Sequence, residues 1–321
     1  MEPKLYIVVP CYNETEVLPE TNKRLLEKLN RMVGASLIAP TSRILYVDDG
    51  SKDGTWSMIS SMCEASDRVC GLKLSRNRGH QNALLAGLFT AASEEEDGGN
   101  ADIVISMDAD LQDDIEVMDR FVEKYKKGSD IVYGVRSSRK KDSLFKRSTA
   151  QTFYRMMRGM GVELVYNHAD YRLMSKRAIH ALSEFREVNL FLRGIVPMIG
   201  FQTAEVPYER GKRFAGESKY PLRKMIRFAI EGITSCSVRP LRMITMAGLI
   251  ISLLSIIMLI HVIRGFLMGE TVEGWATVVV SLFFLGGFQI FAIGIVGEYI
   301  GKIYLETKAR PRFVVEEKQL K

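Results

Sequence analysis

The sequence predicts an α/β fold with a mostly parallel central sheet, followed by amphipathic helices and a two-helix transmembrane hairpin. Three observations predict it. Short runs rich in Val and Ile alternate with longer helix-like runs through the first half of the chain. Acidic residues cluster directly after several of those short runs. Two long stretches without a formal charge stand near the C-terminus.

Leu5–Val9, Arg43–Val47, Val69–Leu74, Ile103–Met107 and Ile131–Val135 read as strands. Between them, Glu16–Val33, Thr55–Ala65, Gln81–Ala92 and Ile115–Lys127 read as helices. Strands separated by helices of that length predict a mostly parallel sheet with helices on both faces. The acidic run Glu94–Asp97 before Gly98-Gly99 reads as a solvated loop. Residues 1–220 form the expected catalytic domain.

Farther on, residues 221–242 read as an amphipathic juxtamembrane segment. Leu222, Met225, Ile226, Ala229, Ile230 and Ile233 recur at helical spacing, with Arg223, Lys224, Arg227 and Glu231 on the other side. Met243–Ile263 and Trp275–Gly297 give about 21 and 23 residues without charge, against the roughly 20 that cross a bilayer. They predict a hairpin over 243–297 and a C-terminal tail over 298–321. Arg239 and Arg242 precede the hairpin, and Lys302, Lys308, Arg310 and Arg312 follow it. Basic flanks stay inside, so both ends and the catalytic domain are expected in the cytoplasm.

With 321 residues, the chain is long enough for a full core. Its net charge of +6 points to an anionic partner. Nucleic acid is disfavoured, because the basic residues gather near the apolar stretches instead of interleaving with aromatics on one face. The four cysteines form no C-x-x-C and do not pair with histidines, which argues against zinc and for reduced thiols.

Three motifs carry the chemistry. Pro10-Cys11-Tyr12-Asn13-Glu14 follows the first strand, and Val47-Asp48-Asp49-Gly50-Ser51 leads out of the second. Asp108-Ala109-Asp110-Leu111-Gln112 follows the fourth. Open α/β sheets bind ligands at the C-terminal ends of their strands. Carboxylates there accept hydrogen bonds from ribose hydroxyls and from base N–H groups. Two more, spaced i, i+2, repel each other unless a cation lies between them, and hard oxygen ligands suit Mg²⁺ or Mn²⁺ shared with substrate phosphates. Each motif alone also fits a helix-capping turn; together they form a nucleotide-diphosphate and metal site.

These motifs, with Arg76-Asn77-Arg78-Gly79 between them, resemble glycosyltransferase family 2 and its nucleotide-sugar-binding A-type fold. Tyr133-Gly134-Val135-Arg136, Ala169-Asp170-Tyr171-Arg172-Leu173, Phe191-Leu192-Arg193-Gly194 and the run Arg213–Tyr220 resemble its polyisoprenyl-phosphate branch, the bactoprenol glucosyltransferases and dolichol-phosphate mannose synthases. Two positions depart from that pattern. Asp113-Asp114-Ile115 stands where the family usually has prolines, and Ala169-Asp170 where it usually has Gly-Asp.

The resemblance implies inverting transfer of one hexose from a nucleotide sugar, UDP-glucose or UDP-N-acetylglucosamine, to undecaprenyl phosphate. Pro10, Tyr12, Asn13, Glu14, Asp48, Asp49, Arg76, Asn77 and Asp108 would bind the donor nucleotide. Asp108, Asp110 and Gln112 would hold Mg²⁺ or Mn²⁺. Asp170 and Asp110 are the catalytic candidates, Asp170 as base or as a carboxylate that orients an arginine. Arg136, Arg139, Arg213, Ser218 and Lys219 would bind the acceptor phosphate, since arginine matches phosphate geometry. His80 and His168 are expected only to support the motifs beside them. The family further implies a multi-pass protein of the bacterial inner membrane, a homo-oligomer, and a flippase and an extracytoplasmic glycosyltransferase acting later. A processive polysaccharide synthase is disfavoured: such enzymes carry Q-x-x-R-W, absent from a chain whose only tryptophans are Trp56 and Trp275. A non-catalytic nucleotide-binding scaffold would have no need for carboxylates at three strand ends.

Overall fold

The computed structural model describes residues 2–95, 98–136, 168–188, 191–211, 234, 237–268 and 274–320. Strands β1 (Leu5–Cys11), β2 (Arg43–Asp48), β3 (Val69–Leu74), β4 (Ile103–Ser106) and β5 (Ile131–Arg136) alternate with helices α1 (Leu18–Gly34), α2 (Thr55–Ala65), α3 (His80–Ala92) and α4 (Met118–Lys126). Then come β6 (His168–Ser175), α5 (Lys176–Ser183), α6 (Leu192–Met198), β7 (Thr203–Tyr208), α7 (Arg239–Leu267), α8 (Trp275–Thr307) and β8 (Val315–Gln319). The strands form one sheet in the order β7-β5-β6-β4-β1-β2-β3-β8.

All seven residues of β1 are buried, as expected of a strand covered on both faces. One core packs Leu5, Ile7, Val9 and Ile105 under α1 and α4; the other packs Tyr6, Val8, Leu45 and Val104 under α3. At about 1.5–3 kcal/mol for each fully buried large apolar side chain, these two layers dominate the stabilisation. Helix α1 buries Leu18, Thr21, Leu25, Lys28, Leu29 and Met32, one stripe at helical spacing. Lys28 is buried because Glu116 and Asp119 hold its ammonium at 3.1 and 2.8 Å. A Cβ on Gly87 would stand 2.4 Å from Val8 Cγ1, so glycine lets α3 lie directly on β1.

β1 pairs in parallel with β2 on one side and β4 on the other. The connections therefore reverse direction between β1 and β4, which opens a crevice at their C-terminal ends. Beyond β4 the sheet turns mixed, with β6 antiparallel to both β4 and β5.

Several elements depart from the sequence expectations. β6 carries Asp170 and Arg172 inside a strand, which hides its alternation. Part of the expected tail forms β8, antiparallel to β3 at the sheet edge. The second apolar helix also runs beyond Gly297, to Thr307. Tyr299 Oη donates to the Ser237 carbonyl at 2.6 Å, tying the far end of α8 to the approach to α7. Among the described residues one stretch, Phe284–Thr307, is long and apolar enough to cross a membrane. Of the two expected spans, one is therefore found among the described residues, and it lies in the second apolar helix. The amphipathic helix expected before α7 lies at 221–233, outside the described residues.

Candidate active site

A cleft of about 1130 Å³ opens at the C-terminal ends of β1, β2 and β4. Its floor includes Pro10, Tyr12, Glu14, Asp49, Asn77, Asp108, Asp110 and Asp170, drawn from motifs far apart in sequence. The opposite wall is the last turns of α8, including Glu298 and Lys302.

The loops of the floor are locked by their own acids. Asp49 accepts from the backbone N–H of Arg78 at 2.7 Å and of Gly79 at 2.9 Å, which gathers the Arg76–Gly79 loop against the end of β2. Burial pushes the Asp49 carboxyl up, and those two N–H groups pull it back. Gly50 makes the approach possible: its φ is +65°, and a Cβ there would lie 2.6 Å from the Arg76 carbonyl carbon. Asp48 is fully buried and accepts from the Ser51 N–H, capping the turn instead of facing the cleft. Asn13, at φ +56°, accepts from the Lys52 N–H and so joins the first motif to the second. Asp48, Asn13 and Arg76 do not line the cleft; Asp48 and Asn13 hold the turns beneath it.

The D-x-D turn is tethered as well. Thr21 Oγ1 donates to the Ala109 carbonyl at 2.8 Å, and Leu111 adopts φ +54°. Gln112 lies off the cleft wall; its N–H donates to Asp110 at 3.2 Å and its carbonyl accepts from Gly211. Asp114, in the segment where prolines are usual, accepts from the Glu116 N–H and caps the short 3₁₀ turn Ile115–Val117. Asp113 accepts a hydrogen bond from Tyr208 Oη at 2.6 Å, and burial, with the charge of Asp108, pushes its carboxyl up to about 6. Arg136, at the end of β5, stands beside that pair rather than in the cleft.

Asp108, Asp110 and Asp170 come together with His80. His80 Nε2 lies 3.6 Å from Asp108 and 3.8 Å from Asp170. Burial pushes the Asp108 carboxyl up; His80 opposes this, and the charges of Asp170 and Asp110 add to it. A site that penalises its own negative charge suits a divalent cation. Among the described residues no three His, Cys, Asp or Glu side chains form a ready-made coordination set. Two carboxylates that leave the other positions to water and a substrate diphosphate fit magnesium-like binding.

Asp170 lies in an arginine clamp. Spacing i, i+2 on β6 puts Arg172 on the same face, and its Nη2 donates to Asp170 at 2.6 Å. Arg193, entering from α6, donates at 3.1 Å. Burial resists the charge, but Arg193, Arg172 and His80 overcome it and hold the Asp170 carboxyl far below the usual carboxylate range.

Sequence reasoning missed Arg193, Arg78, Glu298 and Lys302 as cleft residues. Arg78 and Arg193 sat inside quoted motifs, and nothing local distinguished them. Arg78 Nε is buried with no hydrogen-bond partner among the described residues. Arg139, Arg213, Ser218 and Lys219, expected to bind the acceptor phosphate, lie outside the described residues, as does the side chain of His168.

Comparison with known proteins agrees with this geometry. The chain is 52% identical to the uncharacterized glycosyltransferase YkoT of Bacillus subtilis (strain 168) over 98% of its length and 92% of the relative. It is 39% identical to the bactoprenol glucosyl transferase of Shigella phage SfX, covering 98% of this chain and all of that one. It is 37% identical to a prophage bactoprenol glucosyl transferase homolog of Escherichia coli (strain K12), covering 98% of each. Residues 6–183 match the sequence profile of glycosyl transferase family 2. Strand-end carboxylates, the crevice between β1 and β4 and these similarities converge: the chain belongs to glycosyl transferase family 2, a family of enzymes.

Proposed function

We propose that this enzyme transfers a single hexose, with inversion, from a nucleotide sugar to a polyprenyl phosphate at the cytoplasmic face of the bacterial inner membrane. UDP-glucose and UDP-N-acetylglucosamine are the favoured donors, and undecaprenyl phosphate the acceptor. The observation that carries the reading is the shared cleft, in which carboxylates from three strand ends face the end of a long apolar helix. Full-length similarity to proteins named bactoprenol glucosyl transferase supports it. The exposed large apolar side chains of α7 and α8, among them Ile257, Leu282, Phe284 and Ile290, support a two-span hairpin with the catalytic domain inside.

The acceptor brings its own nucleophile. A phosphate monoester has a second pKa near 6, so at pH 7 it is largely dianionic and needs no strong base. An acceptor oxygen attacks the anomeric carbon from the face opposite the diphosphate. The C–O bond to the diphosphate breaks, and the nucleoside diphosphate leaves with the electron pair. Asp170 serves as a fixed anion that aims Arg193 at this charge, since a carboxyl so firmly ionised is a poor base. Asp49 and Glu14 face the nucleoside. Asp108 and Asp110 would hold Mg²⁺ or Mn²⁺, which offsets charge on the departing diphosphate.

A donor screen tests the reading. Purified protein in membranes would be given each nucleotide sugar with undecaprenyl phosphate, and the lipids extracted and weighed by mass spectrometry. A mass gain of one hexose, or of one N-acetylhexosamine, is the expected result. Polymer, or nucleotide binding with no lipid product from any donor, would end it.

A further inference from the structure

Arg78 stands in the cleft with its main chain fixed and its side chain unpaired. Its N–H donates to Asp49 Oδ1 at 2.7 Å, and its carbonyl accepts from Asn82 Nδ2 at 2.8 Å. Both bonds use the backbone, so the root of the side chain is held while the guanidinium stays available. Arg78 is half-buried and lines the cleft, yet its side chain forms no ion pair or hydrogen bond among the described residues, and its Nε is buried without a partner. A charged donor left unpaired costs free energy that an arriving anion recovers. The planar fork of a guanidinium matches the oxygens of a phosphate.

The place of Arg78 in its loop says which phosphate it meets. Asp49 holds the N–H groups of Arg78 and Gly79. Two residues on from Arg78, His80 Nε2 stands 3.6 Å from Asp108. Residues 78 to 80 therefore run from the carboxylate that faces the nucleoside to the first carboxylate of the D-x-D turn, with at most about 7 Å between their outer Cα atoms. A nucleoside diphosphate with its nucleoside at Asp49 and its far phosphate at the D-x-D turn covers the same interval, so its phosphates lie in front of these three residues. Gly79 leaves that path open: its φ is +87°, and a Cβ on it would meet nothing within 4 Å. Glu14, Asp49, Asp108, Asp110 and Asp170 line the same cleft. A diphosphate entering among them meets mostly like charge, which a cation at its side offsets. The loop belongs to the floor, whereas a membrane lipid would approach from the α8 wall.

We infer that Arg78 binds the diphosphate of the nucleotide-sugar donor. The inference rests on the nucleotide-sugar reading above and adds the residue that grips the donor's phosphates. Full-length protein in nanodiscs would first be titrated with UDP, GDP, CDP, ADP and dTDP. The tightest binder and its free nucleoside would then be titrated against wild type, Arg78→Gln and Arg78→Lys, with a polyprenyl phosphate in parallel. Expected for Arg78→Gln is a diphosphate Kd at least about tenfold weaker, with nucleoside and lipid-phosphate affinities unchanged. Its melting temperature should stay close to wild type, because both bonds that fix the loop at this residue are main-chain. Arg78→Lys keeps the charge without the fork and should recover part of the loss. Equal diphosphate binding by wild type and Arg78→Gln would overturn the assignment and leave the enzyme's proposed reaction standing. An equal loss for nucleoside and diphosphate would make Arg78 a support of its loop, and a loss confined to the lipid phosphate would move it to the acceptor; either result overturns the assignment. Wild type that binds none of these diphosphates would overturn the assignment and the reading together.

Discussion

The two walls of the cleft are built on different principles. The floor is a set of strand ends whose loops are pinned by their own carboxylates: Asp49 to the Arg78 and Gly79 N–H groups, Asp48 to Ser51, Asn13 to Lys52. The opposite wall is a single helix end, and the described residues include three long-range contacts that join it to the catalytic domain. Glu306 accepts from the Val188 N–H, Arg312 donates to the Phe185 carbonyl, and β8 pairs with β3. A floor fixed in this way suits a soluble donor that must be held in one pose. A wall made of a helix end that continues an apolar helix suits the proposed acceptor, which arrives and leaves within a membrane.

That contrast makes the floor the place of largest effect. Asp108→Asn and Asp110→Asn should each lower kcat by about 10³-fold or more, on the scale of losing a charge-stabilising group aimed at the reacting centre. Asn keeps the size of Asp and one carbonyl acceptor, so a melting temperature close to wild type would separate this loss from misfolding. Chelation of divalent ions should reproduce the loss in wild type and add nothing in either variant. Turnover near wild type in both would remove the metal-site argument.

Asp170→Ala tests the floor's electrostatics instead. Arg172 is 2% exposed, and its Nε and Nη1 have no hydrogen-bond partner among the described residues. Removing Asp170 leaves that buried charge without its counterion, a loss of about 3–5 kcal/mol in other buried pairs. Urea unfolding should show a loss of that order in Asp170→Ala, and a smaller one in the double variant that also carries Arg172→Leu. With the Arg172→Leu single variant closing the cycle, a double loss equal to the sum of the two single losses would mean that the pair is not coupled. Activity of Asp170 variants is therefore read only at temperatures where they remain folded.

The same contrast decides what the sequence made legible. The floor was legible because parallel strands buried on both faces are written as Val and Ile runs, and the residues after them sit at the ligand edge by topology alone. β1 to β5 lie where their patterns place them, and the convergence of Asp49, Asp108 and Asp110 followed. What stayed hidden depends on contacts between distant segments. β6 breaks the apolar pattern because Asp170 and Arg172 satisfy each other across one strand face. β8 reads as a polar tail because an edge strand facing solvent needs few apolar residues. Asp48 and Asn13 have the residue types of ligands but are spent on turns, which type and spacing do not distinguish. Lys302 read as a topology signal, and only the packing of α8 over the strand ends makes it a cleft residue.

The smallest expected effect lies on the helical wall. Glu306 is half-buried, and both its carboxylate oxygens lie within 2.9 Å of the Val188 nitrogen. Val188 and Phe191 line the cleft, and Arg193 follows on the same segment. Glu306→Ala removes a charged acceptor, a change of about 1.5 kcal/mol at a partly exposed site. Because the sheet and both cores are untouched, this loss should appear as local opening rather than as a lower melting temperature. Amide exchange at Val188 should quicken by about tenfold, and the KM for the lipid acceptor should rise while that for the donor stays constant. Unchanged exchange and unchanged acceptor KM would show that the helix end is held by β8 and the Arg312 contact alone, and the two walls would then differ in composition but not in firmness.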